Sequence, residues 1–350
     1  MSVSTELLNS TYQDFKGPTV NTFSQNVPAI SALEKKGKIS KEGGSFVERS
    51  LMTGSSATGT GIYTGDETLD RTRAKKLGKF RVDFHRIVVP IVIPNKDKVQ
   101  NQGKKGAVKL LETYVKGAAD GVAVDREKYW LTGKSTAFVL PSEELYGSLT
   151  LNGQFAAGLG VGVENGYLDF VAPASQTDLV QNVSKSLANF IYNQYGDITG
   201  WAIDGVRTLR KVYRACSQFA GKPNSGPDLI VMDDDTYGNY QESKFELLRL
   251  MKVSDKTDNG NMVQDVFGLA TIYASNLIDL AADFTGVAAD GVTYMLNTDW
   301  IEIIQLESME LSDFVDAGTD QDGVVSKMSW HEATIFQKPP AHGCISGGAS

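Results

Sequence analysis

The chain has 350 residues, of which 41% are hydrophobic and 22% charged, and its net charge is −8. Such a composition excludes disordered and fibrous chains and allows roughly two domains around a sizeable core. The negative balance argues against a dedicated nucleic-acid binder, and two cysteines, Cys216 and Cys344, are too few for a disulfide framework or a four-cysteine metal site.

The longest apolar run, Ile87–Ile93, falls far short of the about 20 residues that cross a bilayer. Residues 1–30 lack the basic start and apolar core of a signal peptide. Both cysteines therefore read as free thiols in a reducing cytosol. Charge is unevenly distributed: residues 1–130 carry 21 Lys and Arg against 14 Asp and Glu, whereas residues 131–350 carry 13 against 28. The basic run Arg71–Arg81 reads either as a solvated face or as a contact for the acidic half of another copy, since complementary potentials set register in assemblies.

In chain order, residues 1–40 show no sustained period and read as an extended arm with one short helix. From Ser45 the pattern is β. "SFVERSLM" predicts a strand, and "KFRVDFHR" alternates, with Phe80, Val82 and Phe84 on one face. The second strand continues into Ile87–Ile93, which is apolar on both faces and predicts a strand entering a core. Pro90 and Pro94 place it at a sheet edge or at a strand end. The two strands predict a long hairpin projecting from the body, with "GSSATGTGIYTGDETLD" (Gly54–Asp70) at its tip.

Ala107, Leu110, Leu111, Tyr114, Val115, Ala118, Ala119 and Val122 share one helical face. That helix, with Asn101 as a candidate cap, would run to about Trp130 and span roughly 40 Å, with a bend expected at Gly117 and Gly121. Residues 131–175 are Gly-rich and β-like. Beyond Thr177, Leu179, Val183, Leu187 and Ile191 predict one helix, and Val206, Leu209, Val212 and Cys216 another capped by Asp204. "DLIVM", "LATIYAS", "TYMLN" and "IEIIQLE" predict strands, and the segment after Asp233 a helix that starts with acids, as the helix dipole prefers. "GVVSKMSWHEATIF" predicts a last strand, and "QKPPAHGCISGGAS" carries no packing signal.

The patterns that could carry chemistry are incomplete. "GTGIYTG" and "GLGVGV" begin G-x-G, but Thr64 and Val163 stand where the third glycine of a dinucleotide loop belongs, and no helix start follows to hold a phosphate. "HEATI" has Ile335 where a zinc motif needs histidine, in a segment that reads as strand. "DKTDNG" and "GTDQDG" resemble the start of calcium loops, but Val266 and Ser329 occupy the closing position that needs a bidentate glutamate. Asp233–Asp235 fits a helix start better than a cation site. No nucleophile elbow occurs around the three histidines. No catalytic, cofactor-binding or metal-binding residue is assigned. Glycine at the hairpin tip is read as mechanical, letting the tip bend. Tyr63, Asp66, Glu67, Asp70, Arg71, Arg73 and Lys75 become the candidates for contact with another copy.

Three stretches, in order, carry a resemblance: "ALEKKGKISKEGGSFVE" with "YTGDETLD", then "GKPNSGPDLIVMDDDTYGNYQ", then "YMLNTDWIEIIQ" with "MSWHEATIFQKPPAHGCIS". Together they resemble the major capsid proteins of tailed bacteriophages with the Hong Kong 97 fold, an α+β fold also used by encapsulin shells. The resemblance implies an N-terminal arm at 1–40, an extended β-hairpin loop at 41–95 and a peripheral domain with a long spine helix at 96–175. It further implies a mixed α/β axial domain at 176–310, with return strands to the peripheral domain at 311–350.

The implied function is a virion protein, not an enzyme, that self-assembles into an icosahedral head shell around the phage genome. Its implied partners are other copies of itself in hexamers and pentamers, a scaffold protein, a portal and a decoration protein. It would enclose double-stranded DNA without binding it specifically, need no cofactor and no membrane, and assemble in the host cytoplasm. Some relatives crosslink a loop lysine to a neighbour's asparagine. Lys75, Lys76 and Lys79 lie in that region, but no crosslinking motif matches residue by residue, so that activity is not carried over. An encapsulin-like compartment shell and a cytosolic α/β enzyme with an unrecognised site are the alternatives.

Overall fold

In the computed structural model, the described residues are 27–52, 77–96, 107–132, 167–170, 172–176, 179–180, 183–184, 191–221, 225–248, 256–258, 261–266, 270–278, 291–316 and 323–347. The helices are α1 (Pro28–Lys35), α2 (Ala107–Thr132), α3 (Val206–Gln218) and α4 (Asp234–Leu248). The first strands are β1 (Ile39–Lys41), β2 (Phe46–Met52), β3 (Leu77–Asp83), β4 (His85–Pro94), β5 (Leu179–Val180), β6 (Val183–Ser184), β7 (Gln194–Ile198) and β8 (Leu229–Asp233). They are followed by β9 (Lys256–Asp258), β10 (Asn261–Val266), β11 (Ala270–Ser275), β12 (Val292–Leu296), β13 (Ile301–Leu311), β14 (Val315–Asp316), β15 (Gly323–Phe336) and β16 (Gly343–Gly347).

One sheet has seven strands in the order β7-β16-β12-β8-β11-β10-β9. Its centre is buried on both faces, which is why "LIVM" and "TYML" read as continuous apolar runs rather than alternating ones. Alternation instead sorts the side chains between two cores. Leu229, Val231, Val292, Tyr294 and Leu296 face α1 and the end of α2, while Ile230, Met232 and Met295 face α3 and α4. Each such fully buried aliphatic side chain contributes about 1.5–3 kcal/mol. Helix α3 lies so close to the sheet that a Cβ on Gly196 would stand 2.7 Å from Val212 Cγ2, and one on Gly343 2.8 Å from Val212 Cγ1.

The other sheet runs β1-β13-β15-β14, with β4 on the far side of β15. The two sheets are joined by the Thr298–Trp300 turn between β12 and β13, and Ile301, Ile303 and Phe336 extend the first core into the second sheet. Under β4 and β15, Val115, Ala118 and Ala119 of α2 pack on Ile91, Ile93 and Met328. The β2–β3 hairpin pairs from Phe46↔Asp83 to Met52↔Leu77.

Several expectations are met and several are corrected. The hairpin, α2, and the strands at 229–233, 270–275, 292–296, 301–311 and 323–336 lie where the patterns put them. Helix α2 continues through Gly117 and Gly121. Where a helix was read from Leu179 to Ile191, Leu179–Val180 pair instead with Val183–Ser184, Ile191 is a buried contact for Leu51 and Phe80, and residues 185–190 lie outside the described residues. Leucine and β-branched valines at short range suit a strand pair as well as a helical face. Asp204 does not cap α3. It lies in a turn of π-helix, and its carboxylate accepts the Thr199 and Gly200 N–H groups instead.

The described rungs of the hairpin do not project: Val47 and Val82 pack on Ile304, Ala333 and Ile335 of β13 and β15. The tail expected to lack packing supplies β16, buried between β12 and β7. The Gly-rich stretch 133–166 lies outside the described residues.

Candidate subunit-contact surface

The hairpin base is fixed to the body by charge as well as by valines. The Arg49 guanidinium reaches Glu42 at 2.8 Å and Glu302 of β13 at 3.1 Å. Ser40 Oγ and Gln337 Nε2 donate to the same Glu302 carboxylate. Hydrogen bonds from Arg49 to Glu42 and then to Glu302 hold its pKa above the usual arginine value. This bidentate, part-buried fork fixes the direction in which the hairpin leaves the sheet.

Other N-terminal cations are also used internally. Lys36 pairs with Asp228 at 2.5 Å and Lys38 with Asp299 at 3.4 Å. Arg126, nearly buried, pairs with Glu332 at 2.7 Å and with Glu34 at 3.6 Å. The basic run Arg71–Arg81 reads either as a solvated face or as a contact for another copy's acidic half, and its residues 71–76 lie outside the described residues. Lys36, Lys38, Arg49 and Arg126 of the basic first part meet acids of the remainder within one chain.

An uncovered apolar surface lies on the second sheet. Strand β4 alternates strictly: Val89, Ile91 and Ile93 turn toward α2, while Arg86, Val88, Pro90, Val92 and Pro94 turn outward. Val92 is opposite Val325, and Val325 is opposite Val315, so a row of three valines crosses β4, β15 and β14. Val88 is 42%, Val92 49% and Val315 64% exposed. The run enters a core through Ile91 and Ile93, as expected, but only with that face, since Val88 and Val92 stay exposed. Pro90 and Pro94 lack an N–H, so the outer edge of β4 is a poor template for another strand. Its open face, not its edge, is the surface available for contact. On the first sheet, Ile203 stands 79% exposed in the turn held by Asp204. At the hairpin base Arg81 lies over the Phe46 ring at 4.2 Å.

The groups that could carry chemistry are engaged structurally. Asp233 accepts the Thr236 N–H at the start of α4 and the Val292 N–H of β12. His331 and Ile335 are in strand β15, so "HEATI" has no helical spacing. Asp258 and Asn261 pair in a β-hairpin at the segment that began like a calcium loop. Burial pushes the Cys216 thiol well up, the opposite of an activated nucleophile. His342 is buried and pushed down to about 3 by desolvation, and its Nδ1 accepts the Asn297 N–H. Among the described residues no group of three or more His, Cys, Asp or Glu is placed to hold a metal ion, and no helix is long and apolar enough to cross a membrane.

Tyr63, Asp66, Glu67, Asp70, Arg71, Arg73 and Lys75, the contact candidates read from the sequence, all lie outside the described residues. The valine row was not among those candidates. The spacing of Pro90 and Pro94 could have revealed it, because residues four apart on a strand share a face with the residue between them, Val92.

No family model and no curated protein sequence matches this chain. Solved structures do match it nearly end to end. A subunit of the cyanophage A-1(L) capsid asymmetric unit aligns with TM-score 0.63 at 11% identity, covering 97% of this chain and 98% of that one. This chain has the fold of phage capsid proteins. The capsid structure of cyanophage P-SCSP1u aligns with TM-score 0.52 at 12% identity, over 98% and 94% of the two chains. The same fold extends to the holo-SrpI encapsulin complex from Synechococcus elongatus PCC 7942, with TM-score 0.52 at 9% identity over 95% and 92%.

Proposed function

We propose that this chain is the major capsid protein of a tailed bacteriophage, a structural protein that self-assembles into the icosahedral head shell around the genome. The end-to-end alignment with the A-1(L) capsid subunit carries this reading, because it includes both sheets, the long helix and the hairpin in one order. In Hong Kong 97 terms, residues 1–40 are the arm, 41–95 the extended loop, 96–175 the peripheral domain with α2 as its spine, and 176–310 the axial domain. Residues 311–350 return to the peripheral domain, except that the pairing of β16 with β12 and β7 supports counting 343–347 with the axial sheet.

In this reading the valine row on β4, β15 and β14 is covered by a second copy, and residues 63–75 reach a neighbour. A scaffold protein, a portal and a decoration protein complete the particle in the host cytoplasm. The net charge of −8 suits a wall that encloses double-stranded DNA without gripping it.

The encapsulin alignment supports a second reading, a compartment shell loaded with protein cargo. Negative-stain imaging of the protein expressed in bacteria tests both. Uniform closed shells, or rings of five or six, are expected, and a monodisperse monomer even with a scaffold partner present overturns shell assembly. Co-purification of one host protein inside the shells selects the compartment over the phage head.

A further inference from the structure

Helix α1 begins without a cap of its own. Val27 stands at its N-cap position and supplies no side-chain hydrogen bond. The missing acceptor comes from 97 residues away, where Glu127 near the end of α2 accepts the Ala29 N–H through Oε1 at 3.2 Å and the Ile30 N–H through Oε2 at 3.1 Å. Glu127 is fully buried, and α1 itself presents Ala29, Ile30, Ala32 and Leu33 to the core shared by the two sheets. The docking of α1 therefore passes through one carboxylate sealed from water.

We propose that Glu127 is a proton-operated latch: its protonation state sets how tightly α1 is held on the end of α2. The proposal stands apart from the shell function. A carboxylate facing two helix N-terminal N–H groups is favoured when ionised, but removal from water disfavours the ion. Desolvation wins here, raising Glu127 to about 7 against the opposing hydrogen bonds from Ile30 and Ala29 and the nearby charge of Arg126. Arg126, whose charge acts on Glu127, is itself paired with Glu34 of α1 and with Glu332 of β15.

The direction follows from linkage. Docked, Glu127 keeps its proton up to about pH 7, whereas released into water it loses it near the ordinary value of 4.5. The docked state thus binds more protons between those two values. Docking is tightest at low pH, weakens as pH rises, and levels off above about 7.

Hydrogen exchange with mass spectrometry of the full chain, from about pH 5 to about pH 9 and corrected for intrinsic exchange, reads this at peptides covering 28–36. Protection there is expected to fall about tenfold per pH unit up to about pH 7 and then to level off, while peptides from β8 stay flat. In Glu127→Gln the slope should vanish. A flat profile in the wild-type chain, or an unchanged slope in Glu127→Gln, overturns the latch. If the variant does not fold, carbon-13 titration of the wild-type glutamate carboxyls decides. A Glu127 signal titrating near 7 upholds the latch, and one near 4.5 overturns it.

Discussion

The two sheets solve the same problem differently. In the seven-stranded sheet, β8 and β12 are buried on both faces by helices and segments of the same chain, and the buried Asp233 carboxylate accepts the Thr236 and Val292 N–H groups. In the other sheet α2 fills one face, and on the opposite face the hairpin packs on Ala333 and Ile335, while farther along that face β4 keeps Val88, Pro90 and Val92 in water. The first region is covered by its own chain, and in the second Val88, Val92 and Val315 stay exposed. A monomer that functions alone has little reason to keep such a row open, whereas a subunit of an assembly does.

This contrast can be broken most forcefully in the finished sheet. Tyr294 is fully buried and donates its hydroxyl to the Leu131 carbonyl at 2.9 Å. Tyr294→Ala should cost about 3–5 kcal/mol in urea unfolding and abolish assembly through loss of the fold. At the junction of α2 with β15, Arg126→Ala leaves the buried Glu332 carboxylate without its partner. Its cost should be about 3 kcal/mol, and Glu332→Gln in the same chain should restore part of it.

Acid probes the finished sheet by a different route. Folded His342 takes a proton only near 3, whereas the unfolded chain takes it near 6.5. Its contribution is complete above about 6.5 and is lost as pH falls toward 3. Glu127 acts with the opposite sign from 4.5 to about 7. The test is therefore the difference in unfolding midpoint between wild type and His342→Asn across that range, which should narrow as pH falls. The smallest effect on folding, and the sharpest contrast, is expected at the open face. Val92→Thr with Val315→Thr should change stability by no more than about 0.5 kcal/mol per site, yet weaken assembly in sedimentation. A loss of several kcal/mol in the monomer would mean that these valines belong to a core.

Much of this was legible in the sequence because the physics was local. Phe80 and Val82 alternate with Lys79 and Arg81, so the β3 half of the hairpin is written in its own period. Helix α2 is equally plain from Val115, Ala118, Ala119 and Val122. What escaped notice depends on distant partners. Strand β16 reads "GCISG", in which Gly343 serves close approach to α3 and His342 beside it is buried with its ring against Phe336, so neither carries an apolar signal. Leu179 and Val183 fit a helical spacing, but the chain turns back between them.

At the candidate site the apolar run Ile87–Ile93 was visible, but its coverage was not. Whether a valine row meets a helix or another copy is not encoded in its spacing. The charge asymmetry was real, but its described partners lie within the same chain, as Arg49 with Glu302 and Arg126 with Glu332 illustrate.

The most direct test of the two-region contrast is a cryo-electron microscopy map of particles assembled from this chain. It should show β8 and β12 buried only by their own subunit, and the row Val92, Val325 and Val315 covered by a neighbouring copy. A closed shell in which that row still faces solvent would contradict the assignment of the open face to subunit contact.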